Sequence, residues 1–295
     1  MAGKYYFIIG RLKEYDFDTG AKGFDAVAIR DDIYENLSPV DAKYMRDFYT
    51  YYDILNIIAL YSGRDAFSRL GFFSREELQA EIEAPEELPD YLTTVIATYR
   101  SVVKEIKYID TDPSIDTEKP IERALWRAYY EHCMSSECHF LRKWYGFDME
   151  LRNITAAFTA RRMGRDIGAE LVGDADIISS LARSSAPDFG IRNEVDYMDR
   201  LVGILEESNI LEKERKLDLL KWDMADRFAE QHYFDMEVIL AYCAKVNIID
   251  RWLTLDRRTG EEMFRKMVAE VSDKNLLVQS VFQVGNPRAR NTEIE

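Results

Sequence analysis

The run His132-Cys133-Met134-Ser135-Ser136-Glu137-Cys138-His139 places four potential zinc ligands within eight residues. A metal could use them only if the backbone broke between the two histidines. On one unbroken helix His132 and His139 share a face but stand about two turns, roughly 10 Å, apart, too far for one ion held at about 2 Å per ligand. Cys133 and Cys138 then point to different faces, and no Gly or Pro between them invites a break. The expectation is a helix with buried thiols and surface imidazoles. No metal and no cofactor are expected.

Other chemistry-bearing patterns fail on their own spacing. Asp110-Thr111-Asp112-Pro113-Ser114 starts like a calcium loop, but Ile115 stands where Gly is needed and Ile121 where a bidentate Glu belongs. The paired carboxylates Glu76-Glu77, Glu86-Glu87 and Glu206-Glu207 read as solvated helix faces. Neither a phosphate-binding glycine loop nor a nucleophile elbow nor a His-Glu-x-x-His motif occurs. With His132, His139 and His232 the only histidines, few groups could move protons near neutral pH. The chain is therefore read as no enzyme. The competing reading is a cytosolic helical metalloprotein or enzyme centred on His132, Cys133, Cys138 and His139, with Glu137 as its carboxylate.

Composition narrows the class. The 295 residues are 47% hydrophobic, enough for a large buried core. No stretch approaches the ~20 apolar residues that a membrane-spanning helix needs. The opening Met1–Gly10 run has too short an apolar segment, and no small-residue cleavage site, for a secretory signal. Three cysteines make no disulfide framework, which suits a reducing compartment, so the chain is placed in the cytoplasm. A net charge of −15 repels phosphate backbones, and nucleic acid is not an expected partner.

Periodicity predicts an all-α fold. Ser38-Pro39-Val40-Asp41 opens a helix carrying Ile54, Ile57, Ile58 and Tyr61 at i, i+3, i+4, i+7 and ending near Gly63. Ser74-Arg75-Glu76-Glu77 is a capping box. Further helices are expected over 91–107, from Pro120 until Gly146 interrupts, through Leu151, Ile154 and Phe158, over 195–214, over 217–252, and from Thr259 through Val271. Tyr5–Ile9 and Ala26–Ile29 are read as short strands or turn-bounded helical fragments.

One local unit recurs. Phe-Asp-Met-Glu stands at Phe147–Glu150 and again at Phe234–Glu237, and Tyr52-Asp53-Ile54-Leu55 is a looser copy. A chain this long repeats some tetrapeptide by chance roughly half the time, so only the shared context carries weight. Each copy follows aromatic residues, precedes an apolar helical run, and is trailed by arginines: Arg64, then Arg161, Arg162 and Arg165, then Arg251, Arg257 and Arg258. Asp53, Asp148 and Asp235 are read as helix N-caps that order those helices. Polar zones at Asp110–Thr117 and Ser184–Gly190 separate the copies. The expected organisation is lobe 1 over 1–112, lobe 2 over 113–187, lobe 3 over 188–285 and a polar tail over 286–295.

Helical lobes opening with an aromatic-Asp unit and ending in basic residues resemble the C/d family of stalk subunits in the V-type and A-type rotary ATPases. The stretch Tyr145-Gly146-Phe147-Asp148-Met149-Glu150-Leu151-Arg152-Asn153-Ile154, running on to Arg161-Arg162, carries the resemblance best. In that family the Asn comes sooner after the Asp, so Asn153 stands two residues late. Tyr5–Ile9, Leu37-Ser38-Pro39 and Tyr51-Tyr52-Asp53 look like a divergent bacterial branch. The resemblance implies a funnel of three related lobes with no catalytic role, bound to the central-stalk subunits and seated on the membrane rotor ring. It would be peripheral to the cytoplasmic face, and membrane contact would run only through the ring. Arg161, Arg162 and Arg251 are the expected partner-facing residues. A free-standing helical adaptor unrelated to these ATPases is the remaining alternative.

Overall fold

A computed structural model describes residues 5–15, 17, 23–109, 118–173, 176–184, 186 and 188–255. The fold is all-α, and the described residues contain no strand. In chain order the helices are α1 (Tyr6–Arg11), α2 (Ala26–Glu35), α3 (Pro39–Tyr61), α4 (Arg75–Glu83), α5 (Asp90–Ile109), α6 (Glu118–Met134), α7 (His139–Arg162), α8 (Asp176–Arg183), α9 (Met198–Leu205) and α10 (Ile210–Ala229). A 3₁₀ turn spans Gly168–Glu170, and a last described helix, α11, covers 236–255. Of the stretches expected to be strand or helical fragment, Tyr5–Ile9 lies in α1 apart from Tyr5, which precedes it, and Ala26–Ile29 lies in α2.

Local chemistry explains several starts. Ser38 Oγ accepts from the Asp41 N–H with Pro39 in the first turn of α3, and Ser74 and Glu77 form the expected capping box at α4. Asp25 and Asn209 cap α2 and α10 in the same way. The α3 stripe is buried at Ile54, Ile57 and Ile58, and Gly63 follows with φ of 61°, the left-handed conformation that stops a helix.

Other boundaries differ from expectation. Gly146 does not interrupt: α7 runs through it, because one Gly costs only about 1 kcal/mol and brings no second stop signal. The helix breaks instead at 135–138, between α6 and α7. The cause is remote in sequence. Glu237, in the first turn of α11, accepts the N–H of His139 at 3.1 Å and that of Phe140, and so caps the start of α7. Breaks at 206–209 and 230–235 also divide segments expected to be continuous. The zone Asp110–Thr117, the helix expected from Thr259 and the tail lie outside the described residues.

Apolar side chains gather in two clusters. The larger takes its residues mainly from α1 to α6, the first half of α7 and α11, with Val172 and Ala225 of α10 added; the smaller takes them from Phe147 of α7 through α10. The large cluster thus draws on all three expected lobes, and the border between the cores falls within α7, away from the polar zones. Helix α6 packs against α3, α5 and α7, while α7 also packs against α8 and α10.

Candidate functional site

The aspartates expected to cap helices occupy different places. Asp53 lies well inside α3 and Asp148 inside α7, both buried, so neither is an N-cap. Their aromatic neighbours pack in or against the core rather than acting as staples, and helix propagates through both units, Gly146 being too weak a breaker alone. Asp235 alone stands just ahead of a helix, with Oδ2 at 2.7 Å from His232 Nδ1. Asp53 is held inside the core by the N–H of Phe73 at 3.3 Å. Burial pushes its carboxyl up to about 6, against the opposing pull of the Phe72 and Phe73 amides and Arg30.

The His/Cys run does not assemble. His132, at the end of α6, has Nε2 at 3.1 Å from Asp47 and stacks its ring on Tyr91 at 4.4 Å. Cys133 is buried, while Cys138 Sγ lies 3.8 Å from both Glu237 oxygens, and burial pushes its thiol up to about 12. His139 starts α7 beside His232, ring centroids 6.2 Å apart, and Glu137 is exposed. The break at 135–138 removes the unbroken-helix premise, yet it sends the four ligands toward different neighbours. Among the described residues no three His, Cys, Asp or Glu side chains form a metal-holding group.

What the fold does assemble is a cavity of about 1100 Å³ bounded by α3, α7, α10 and α11. Tyr51, Tyr52 and Leu55 of α3 face Trp144, Asp148 and Arg152 of α7, with Asp218 and Lys221 from α10 and Asn247 and Arg251 from α11. Its charges are paired. Lys221 Nζ lies 3.4 Å from Asp148 Oδ1, whose other oxygen accepts from Tyr130 at 2.8 Å. Desolvation pulls the Lys221 ammonium down, but Asp148, Tyr51 and Asp218 together outweigh it and the net shift is upward. Arg251 is gripped by Asp218 and Glu214, and Asp218 also accepts the Trp252 indole N–H at 2.8 Å. Burial, reinforced by Asp148, pushes the Tyr51 phenol up to about 12.

Of the three arginines expected to face partners, only Arg251 reaches this cavity. Arg161 turns inward: it donates to the carbonyls of Ser184 at 2.7 Å and Ala186 at 2.6 Å and lies over the Phe189 ring at 3.6 Å. It ties the end of α7 to the segment after α8. Arg162 is exposed at the same helix end.

A repeated residue escaped the sequence reading. Asn56 in α3 donates to the Ser68 carbonyl at 2.9 Å and accepts from the Ser68 N–H at 2.6 Å. Asn153 in α7 does the same with Val172, both bonds 2.9 Å. Asn247 occupies the corresponding stretch of α11 and accepts from Tyr49 at 3.2 Å. Each is buried and followed by Ile. Registering the copies on Asn-Ile places Asp53 opposite Glu150, not Asp148, which removes the two-residue delay. Asn209-Ile210, a helix cap, shows that the dipeptide alone is not specific.

No described helix is long and apolar enough to cross a membrane. No solved structure matches the chain. An uncharacterized protein of Chlamydia pneumoniae is 31% identical over 111 residues, which cover 36% of this chain and 41% of that relative's length. The family described as Protein of unknown function (DUF2764) matches residues 1–275, nearly the whole chain, and the chain belongs to that family.

Proposed function

We propose that this protein is a non-catalytic coupling subunit of a V/A-type rotary ATPase, joining the central stalk to the membrane rotor ring. The observation that carries the reading is the cavity among α3, α7, α10 and α11, of which α3, α7 and α11 each have a buried Asn-Ile pair in the second half. Long helices gathered around a common open space make a socket, which suits a structural receiver better than a reaction centre. The paired charges on its wall support polar, reversible seating rather than a permanent apolar interface. In this role the chain acts from the cytoplasmic face, touching the bilayer only through the ring.

Affinity purification of the tagged chain from gently solubilised membranes at low salt tests the reading. Stalk and ring subunits are expected to come with it in stoichiometric amounts. Their repeated absence under those conditions overturns the proposal.

A further inference from the structure

Helices α10 and α11 run antiparallel along one side of the cavity, in a register set by ion pairs: Lys245 with Asp226, then Arg251 with Asp218 and Glu214. One turn beyond Arg251 stands Leu255, a cavity-lining residue at which the described part of α11 ends. One turn before Glu214 stands Ile210, 77% exposed, with Leu211 beside it at 60%. Ile210 precedes Glu214 by four residues and Leu217 by seven, so it shares the face of α10 that lines the cavity. Leu55 of α3, 37% exposed, lines the same space. Large aliphatic side chains left open along an aromatic-walled cavity mark a surface that something covers.

We propose that the cover is the chain's own C-terminal segment: residues 256–295 return to the cavity and lay the stretch 276–284 over Ile210 and Leu55. The inference goes beyond the coupling reading and does not depend on it, since it concerns the chain by itself. Three observations select this occupant. The described chain ends at Leu255, level with Ile210 and on the cavity wall, so the segment starts where the open surface lies. Its composition matches that surface. Residues 275–287 carry no charged side chain in a chain that is 32% charged, and Leu276, Leu277, Val278, Val281, Phe282 and Val284 all fall within 276–284. Lys221 and Arg251 are already neutralised by Asp148, Asp218 and Glu214, so an uncharged apolar stretch fits where a charged one would find no partner. The tether is also long enough. Residues 256–275 would reach about 30 Å even if wholly helical. A tethered segment is held at an effective concentration on the order of millimolar, which a free partner does not match. Any other ligand of the cavity would have to displace this stretch first.

The test uses the purified full chain with a p-benzoylphenylalanine photo-crosslinker at Ile210, an exposed site, and separately at Leu55. Monomer and dimer bands are separated, and the adducts are mapped by peptide mass spectrometry. Each is compared with its yield after Val278→Asp and Phe282→Asp are introduced together, which put charge into the covering stretch. An adduct within one chain to residues 276–284, falling at least tenfold in the charged variant while its helical circular dichroism is kept, bears the inference out. If the charged variant loses its helical signal, Phe282→Ser alone decides by the same yield. An adduct of unchanged yield overturns the inference, as does one confined to residues 256–275. An adduct found only in the dimer band assigns the surface to a second copy and overturns it too. Absence of any adduct to the C-terminal segment from both positions has the same meaning. None of these outcomes depends on whether stalk and ring subunits co-purify, so the coupling reading stands or falls separately.

Discussion

Gly71 lies directly against the carboxylate of Asp53. A Cβ at Gly71 would fall inside van der Waals distance of Asp53 Oδ1, 3.2 Å from its Cγ and 3.0 Å from Asn56 Nδ2. Arg30 fixes this approach by donating to the carbonyls of Leu70 and Gly71, both at 2.7 Å. The loop has little freedom to retreat. Gly71→Ala is therefore expected to destabilise the fold by about 1–3 kcal/mol, the usual cost of overpacking a core. Urea unfolding checks it, and an unchanged midpoint would show that the loop moves freely.

Asp53 also predicts a pH dependence with an unusual sign. Its folded-state pKa of about 6 lies above the ordinary 3.8, so the folded state binds the proton more tightly than the unfolded state does. The charged carboxylate destabilises the fold above pH 6, and the penalty disappears as pH falls toward 4. By linkage the full difference is about 3 kcal/mol. Asp53→Asn keeps an oxygen for the Phe73 N–H and removes the charge. The stability difference between variant and wild type should thus favour the variant at pH 7 and shrink steadily between pH 6 and pH 4. Chemical denaturation across that range measures it, and a difference independent of pH would contradict the raised pKa.

These two residues show what could be seen in the sequence and what could not. The starts at Ser38 and Ser74 were readable because capping is settled within four residues. The end of α6 was not, since the carboxylate that caps α7 belongs to Glu237, 98 residues beyond His139. The Phe-Asp-Met-Glu identity misled in a particular way: Asp148 pairs inside the cavity with Lys221, whereas Asp235 precedes a helix and contacts His232. Equal tetrapeptides took unequal roles because tertiary partners, not local propensity, decide the fate of a buried carboxylate. Asn56, Asn153 and Asn247 share burial and a following Ile, a likeness that becomes visible only when register is counted from the asparagine.

Arg161 should behave as a structural residue. Its guanidinium fork reaches two carbonyls and covers Phe189, an arrangement a lysine cannot reproduce. Arg161→Lys is expected to cost about 1–2 kcal/mol, lowering the melting temperature by about 2–4 °C per kcal/mol. Arg162→Ala, at an exposed site, should change it little. A calorimetric scan of both variants separates them. Equal, negligible shifts would return Arg161 to the role of a partner-facing residue.

The Asp148–Lys221 pair predicts an asymmetry between single and double substitutions. Asp148 has 10% of its side chain exposed and Lys221 27%, so each is partly desolvated and each depends on the other. Lys221→Met leaves the carboxylate with Tyr130 as its hydrogen-bond donor and strands a negative charge beside the aromatic wall. The cost should be about 1–3 kcal/mol, below the range for fully buried pairs because water still reaches the ammonium. Asp148→Leu strands the cation instead, at similar cost. Combining the two removes both charges but still leaves the buried Tyr130 hydroxyl without its acceptor, so the double variant should lose less than the sum and no more than Asp148→Leu alone. If the losses simply add, the pair is not coupled, and its upward pull on Lys221 must come from Asp218 and Tyr51 alone.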